Sequence, residues 1–90
     1  MSGAVQVRFA PEGEGEMLAI DGEMAKLICN LAFAPGTPLV FAAGVGGEQL
    51  LLSGKSRGCK RRADGRFDLM VRLTDLRRAQ RQALRRMLDD

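Results

Sequence analysis

Residues 66–73 read Arg-Phe-Asp-Leu-Met-Val-Arg-Leu. Phe67, Leu69, Val71 and Leu73 occupy one parity, and Arg66, Asp68, Met70 and Arg72 the other. A period of two is the signature of a strand with one buried face. The strand runs straight into Thr74-Asp75 and an arginine-studded amphipathic segment. There Leu76, Ala79, Ala83, Leu84 and Met87 form one stripe, while Arg77, Arg78, Arg81 and Arg85 crowd the opposite side. This spacing predicts a helix over 75–88, with Thr74 or Asp75 as its N-cap. A half-buried strand feeding a helix that must cover something constrains the fold to a small β-rich domain closed by a terminal helix.

Ninety residues make one domain. So short a chain buries only about 60–65% of its unfolded surface, so the core is small. With no Trp, no Tyr and four Phe, that core must be built from Leu, Val, Ile and Met. The remaining elements read as sheet. Residues 5–9 alternate as a short strand, and 11–16 read as an acidic Gly/Glu loop. Two apolar stretches, 17–20 and 25–31, flank Asp21-Gly22, a turn dipeptide, and read most simply as a hairpin, although Met24, Leu27, Ile28 and Leu31 also fit the period of a short helix. Pro35-Gly-Thr-Pro38 is a strong turn, because proline fixes φ and glycine permits its positive values. A strand follows over 39–43, then a Gly44-Val-Gly-Gly47 loop, then a long strand over 49–61. Gly54 and Gly58 within it mark a bulge or a barrel bend. Ala63-Asp-Gly-Arg66 is the clearest hairpin turn. A two-residue turn at Asp64-Gly65 places Arg61 opposite Asp68 and Arg57 opposite Arg72. The second pair sets like charges together, which is costly unless an anion or a bulge intervenes. The predicted fold is thus mainly β, a small six-stranded antiparallel barrel with a C-terminal helix. It divides into an N-terminal strand and acidic loop (1–16), the barrel (17–73) and the helix (74–88).

Charge separates along the chain. Residues 1–52 carry two bases and six acids, net −4; residues 53–90 carry twelve bases and five acids, net +7. Such asymmetry fits either a basic surface aimed at an anionic partner or two halves that pair across the fold. The densest run is Lys55, Arg57, Lys60, Arg61, Arg62 and Arg66, where arginines on adjacent strands are able to grip phosphate bidentately. Arg77, Arg78 and Arg81 on the helix offer a second basic face for an acidic protein.

Little in the chain is suited to catalysis. There is no His, the usual general base and commonest metal ligand. Ser53 and Ser56 lack a base, and Glu12, Glu14 and Glu16 lie in a segment where burial would not tune a carboxyl group. Gly54-Lys55-Ser56 imitates the end of a phosphate-binding loop, but the pattern's first glycine is absent and the segment reads as strand. Cys29 and Cys59 lack metal or redox spacing and read as reduced thiols of a cytoplasmic protein. The N-terminus shows no leader pattern, and no apolar run is long enough to span a membrane.

From about residue 17 to 88 the order of phrases resembles a PilZ domain. The phrases are Pro35-Gly-Thr-Pro-Leu39, Leu50-Leu-Leu-Ser-Gly-Lys55, Asp64-Gly-Arg-Phe67 and Val71-Arg-Leu-Thr-Asp-Leu76, followed by the helix. The resemblance implies a six-stranded barrel with a C-terminal helix, and cyclic di-GMP as ligand. The family holds that ligand with an RxxxR pair before the barrel and a [D/N]xSxxG stretch on an early strand. In this chain Arg8 is followed four residues on by Glu12. Asp21 matches the first position of the second motif, with Glu23 and Lys26 at its Ser and Gly positions. RxxxR spacing recurs at Arg57/Arg61 and Arg62/Arg66.

The sequence is therefore read as a non-enzymatic, PilZ-like regulatory or adaptor domain of bacterial cyclic di-GMP-related signalling. It would act by protein contacts or at an atypical ligand site. Asp21, Arg57, Arg61, Arg62 and Arg66 are the candidate ligand residues; Arg77, Arg78 and Arg81 are the candidate partner residues. No other cofactor and no metal is expected. The alternative is a basic small barrel that binds nucleic acid non-specifically. A further reading is a dimerisation module whose Gly-rich edge strand pairs with a second copy.

Overall fold

The computed structural model describes residues 5–89. Six strands precede one helix: β1 (Val5–Ala10), β2 (Glu14–Asp21), β3 (Met24–Cys29), β4 (Pro38–Val45), β5 (Glu48–Arg61), β6 (Phe67–Thr74) and α1 (Arg78–Asp89). All neighbours are antiparallel, and the sheet closes on itself in the order β1-β2-β3-β6-β5-β4. Closure depends on the length of β5. Its first half pairs with β4, from Val45↔Glu48 to Pro38↔Lys55, and its second half with β6, from Ser53↔Thr74 to Arg61↔Phe67. Every strand therefore has a ladder neighbour on each side over part of its length.

Alternation fills the interior. Val5, Val7 and Phe9 of β1 point inward, as do Met17, Leu27, Phe41, Leu69, Val71 and Leu73 from the other strands. Phe9 packs at a tilt against Phe33 and Phe41 with ring centroids 5.0 and 5.4 Å apart. The helix supplies Leu84 and Met87, both buried in the same cluster. The fold is therefore the mainly β barrel with a terminal helix that the sequence predicts.

Several boundaries differ. The segment read as an acidic loop is largely strand: β2 starts at Glu14, and Glu14 and Glu16 pair with Arg8 and Gln6. Its Glu-Gly-Glu composition reads as a loop, yet it obeys strand parity. Residues 5–16 thus belong to the barrel, while residues 1–4 of that predicted segment, where no leader was read, lie outside the described residues. Likewise Gly44 and Val45 belong to β4, leaving only Gly46-Gly47 as the turn.

The β5–β6 register also differs from expectation. The Arg62 carbonyl accepts from the Gly65 N–H at 3.1 Å, and the Arg62 N–H donates to the Arg66 carbonyl at 2.7 Å. Gly65 sits at φ 88°. This is a three-residue loop ending in a left-handed residue, not a two-residue turn. The extra loop residue shifts the ladder, so Lys60 lies opposite Asp68, and Arg61 opposite Phe67. A bulge between Ser56 and Gly58 shifts it again, so Lys55, not Arg57, faces Arg72.

The helix starts at Arg78, not Asp75, because Asp75 adopts φ 53° and turns the chain before the first helical residue. The Gln80 side-chain oxygen accepts from the Arg77 N–H at 3.0 Å, so Gln80 provides the reciprocal half of a capping box in place of an Asp or Thr cap. Ala79 is exposed, and the buried stripe centres on Leu84 and Met87.

Candidate functional site: a basic outer face on β3, β6 and β5

On a closed barrel, residues that point away from the core form the working surface. On three adjacent strands these include Lys26 of β3, Asp68, Met70 and Arg72 of β6, and Lys55, Arg57 and Lys60 of β5, with Asp68 opposite Lys60. The ladders place them side by side. Lys26 neighbours Met70, which neighbours Gly58; Met24 neighbours Arg72, which neighbours Lys55. Five cations thus surround an exposed methionine.

The bulge shapes this face. Ser56 pairs with Val71 and Gly58 with Met70, leaving Arg57 without a cross-strand partner. Gly58 takes φ 121°, a conformation that side-chain-bearing residues rarely adopt. Bulges of this kind re-aim a side chain, and here the re-aimed residue is Arg57. Ser56, buried beneath, fixes the arrangement. Its hydroxyl donates to the Phe33 carbonyl at 3.0 Å and accepts from the Gly58 N–H at 3.1 Å. Its backbone accepts from the Gly36 N–H at 2.7 Å and donates to the Thr37 carbonyl at 2.9 Å. The Pro-Gly turn and the bulge are therefore stitched together by one residue. Between them lies a cavity of about 340 Å³ lined by Pro35, Gly36, Lys55, Arg57, Arg72 and Thr74.

The electrostatics of this cavity are one-sided. Lys55 and Arg72 are direct cross-strand neighbours, an arrangement that destabilises the ladder. Arg72 has one carboxylate nearby, Glu23 at 3.9 Å, and Lys55 and Arg57 have no ion-pair partner among the described residues. A second cavity, of about 490 Å³, lies elsewhere, where Arg8 and Arg66 stand beside Glu14 and Glu16. Its charges balance, so we assign it no role in anion binding.

The predicted ligand residues fall in different places. Arg57 lines the basic cavity. Arg61 is exposed at the end of β5 without an ion-pair partner among the described residues. Arg62 and Arg66 are held by nearby acids instead. Arg62 donates to Asp68 at 2.8 Å and lies 3.6 Å from Asp64, while Arg66 lies 3.8 Å from Glu16 and 3.9 Å from Asp64. The hydrogen bond to Asp68 pushes the Arg62 pKa up. The Arg66 N–H, with the two guanidinium charges, holds the Asp64 carboxyl below its ordinary range. Asp21 is exposed at the end of β2, in one ladder row with Met24, Arg72 and Lys55. Glu23 and Lys26, at the motif's Ser and Gly positions, both point to solvent. Arg77, at the helix cap, and Arg78 and Arg81 on the helix are exposed and unpaired among the described residues, whereas Arg86 binds Glu48 at 3.0 Å.

Sequence reasoning missed Lys55 and Arg72 as members of one site. Their outward parity was readable; their adjacency depends on the bulge. Among the described residues no cluster of three or more His, Cys, Asp or Glu is placed to hold a metal ion, and no helix is long and apolar enough to cross a membrane. No family model matches the chain, and comparison with curated proteins and with solved structures returns no match.

Proposed function

We propose that this chain is a non-enzymatic regulatory or adaptor barrel of the PilZ kind, acting in the bacterial cytoplasm through its basic outer face. One observation carries the reading. Of the twelve bases after residue 52, only Arg62, Arg66, Arg72 and Arg86 have a carboxylate within ion-pair distance among the described residues. Pairing between the halves accounts for only Arg66, Arg72 and Arg86, since Arg62 pairs within its own half. The rest form the strand face around Arg57 and the helix face of Arg77, Arg78 and Arg81, both open to an anionic ligand or an acidic protein. Glu23 and Lys26 make the family's usual ligand position a poor match, so the site lies around the bulge.

Calorimetric titration with cyclic di-GMP at moderate salt tests the ligand arm. Micromolar binding lost in Arg57→Glu and kept in Asp21→Asn supports a relocated site. Binding lost in Asp21→Asn and kept in Arg57→Glu refutes it. The second reading, nucleic acid binding, draws on the spacing of Lys55, Arg57 and Lys60 along one strand. Phosphate-backbone contacts would weaken steeply between about 50 and 200 mM salt. An adaptor contact anchored on Met70 would not.

A further inference from the structure

We propose that the cavity beside the β5 bulge is a receptor site for a phosphomonoester dianion. The inference rests on the anion-recognition reading above and names the ligand chemistry. Three cations line or border the cavity, Lys55, Arg57 and Arg72, and one acid, Glu23, stands 3.9 Å from Arg72. These four side chains sum to +2, with Asp21 two strands away in the same ladder row. A phosphomonoester carries about −1.5 to −2 at pH 7, whereas a phosphodiester carries about −1. Of single phosphoryl groups, only the monoester neutralises the site.

Geometry supports the same ligand. The volume, about 340 Å³, accommodates a phosphoryl group and the first atoms of its carrier but falls near the lower limit of small-molecule sites. The four hydrogen bonds of Ser56 lock the Pro35-Gly36 wall to the bulge, so the site is organised before a ligand arrives. Thr74, whose hydroxyl lies 3.3 Å from that of Ser53, adds a neutral donor at the rim. Asp75, the next residue, lines the neighbouring cavity with Arg77 instead. The unfavourable Lys55–Arg72 juxtaposition is relieved when a dianion bridges the two side chains.

The test titrates the full chain with phenyl phosphate and with dimethyl phosphate. Phenyl phosphate binding tightens roughly tenfold between about pH 5 and pH 7.5, as the second phosphate proton leaves near about pH 6. Dimethyl phosphate binding is weaker and flat over that range. Arg57→Gln and Arg72→Gln each weaken phenyl phosphate about tenfold or more. Glu23→Gln tightens it, and Arg62→Gln leaves it unchanged. Cooperative thermal unfolding of each variant confirms that it is folded. A diester that binds as tightly as the monoester at pH 7.5, or an Arg57→Gln variant of undiminished affinity, overturns the proposal. A phosphoserine peptide and ribose 5-phosphate separate the two sources of such a group: tighter binding of one identifies it. If phenyl phosphate does not bind but poly-glutamate does, and Arg57→Glu abolishes that binding, the pocket is refuted and the wider basic-face reading stands. If neither binds, both fall.

Discussion

At the scale of single residues, the most telling pair is Lys55 and Arg72. Two cations side by side on a ladder cost stability, and a chain selected for stability alone has no reason to keep them. Lys55→Glu should therefore raise stability by about 0.2–1 kcal/mol while abolishing anion binding, measured by chemical denaturation and by titration. A variant that loses both would make Lys55 structural. Asp64 behaves in the opposite sense. The Arg66 N–H and the neighbouring guanidinium charges depress its pKa, so its contribution to stability is present above the unfolded carboxyl range and is lost as pH falls through the folded value. A carbon-detected NMR titration should place its midpoint below that of an ordinary Asp, and Asp64→Asn should remove that share of the acid sensitivity. The two free thiols separate by burial. Cys29 is fully buried with its pKa pushed up by desolvation, and it donates to the Leu31 carbonyl at 3.0 Å; Cys59 is half-buried. A thiol reagent at about pH 8 should label Cys59 first, with Cys29 reacting only on unfolding.

At the scale of elements, the sequence was legible wherever one face of an element is buried. β6 shows it best, since its apolar parity survives intact in the structure. The β2–β3 hairpin and the long β5 were readable for the same reason. What was not legible depends on backbone conformations that composition does not encode. A left-handed Gly65 adds a residue to the loop, and a bulge at Gly58 adds another to β5; together they change which cations are neighbours. The candidate site was thus legible as a list of basic residues but not as a constellation. The same holds for the helix, where a left-handed Asp75 delays the start that the Thr-Asp pair advertises. Its hold on the barrel rests on Leu84 and Met87. Leu84→Ala should cost about 2–5 kcal/mol by urea denaturation, whereas Arg78→Ala, on the solvent side, should stay within about 0.5 kcal/mol.

At the scale of the whole molecule, closure and charge separate two tasks. The closed sheet removes edges, so stability comes from one core sealed by the helix. Deleting residues 75–90 should leave a product that binds a hydrophobic dye and unfolds without a cooperative transition. The outer surface is then free to carry charge in excess, and it does so on β3, β6, β5 and the helix. The most direct test of that division is an amide shift map of the ¹⁵N-labelled chain titrated with inorganic phosphate at about pH 7.5. Saturable shifts confined to 55–58 and 72–74, with the 35–37 turn, are the predicted result. Shifts centred on the 21–26 turn, or spread evenly over every basic residue, would contradict it.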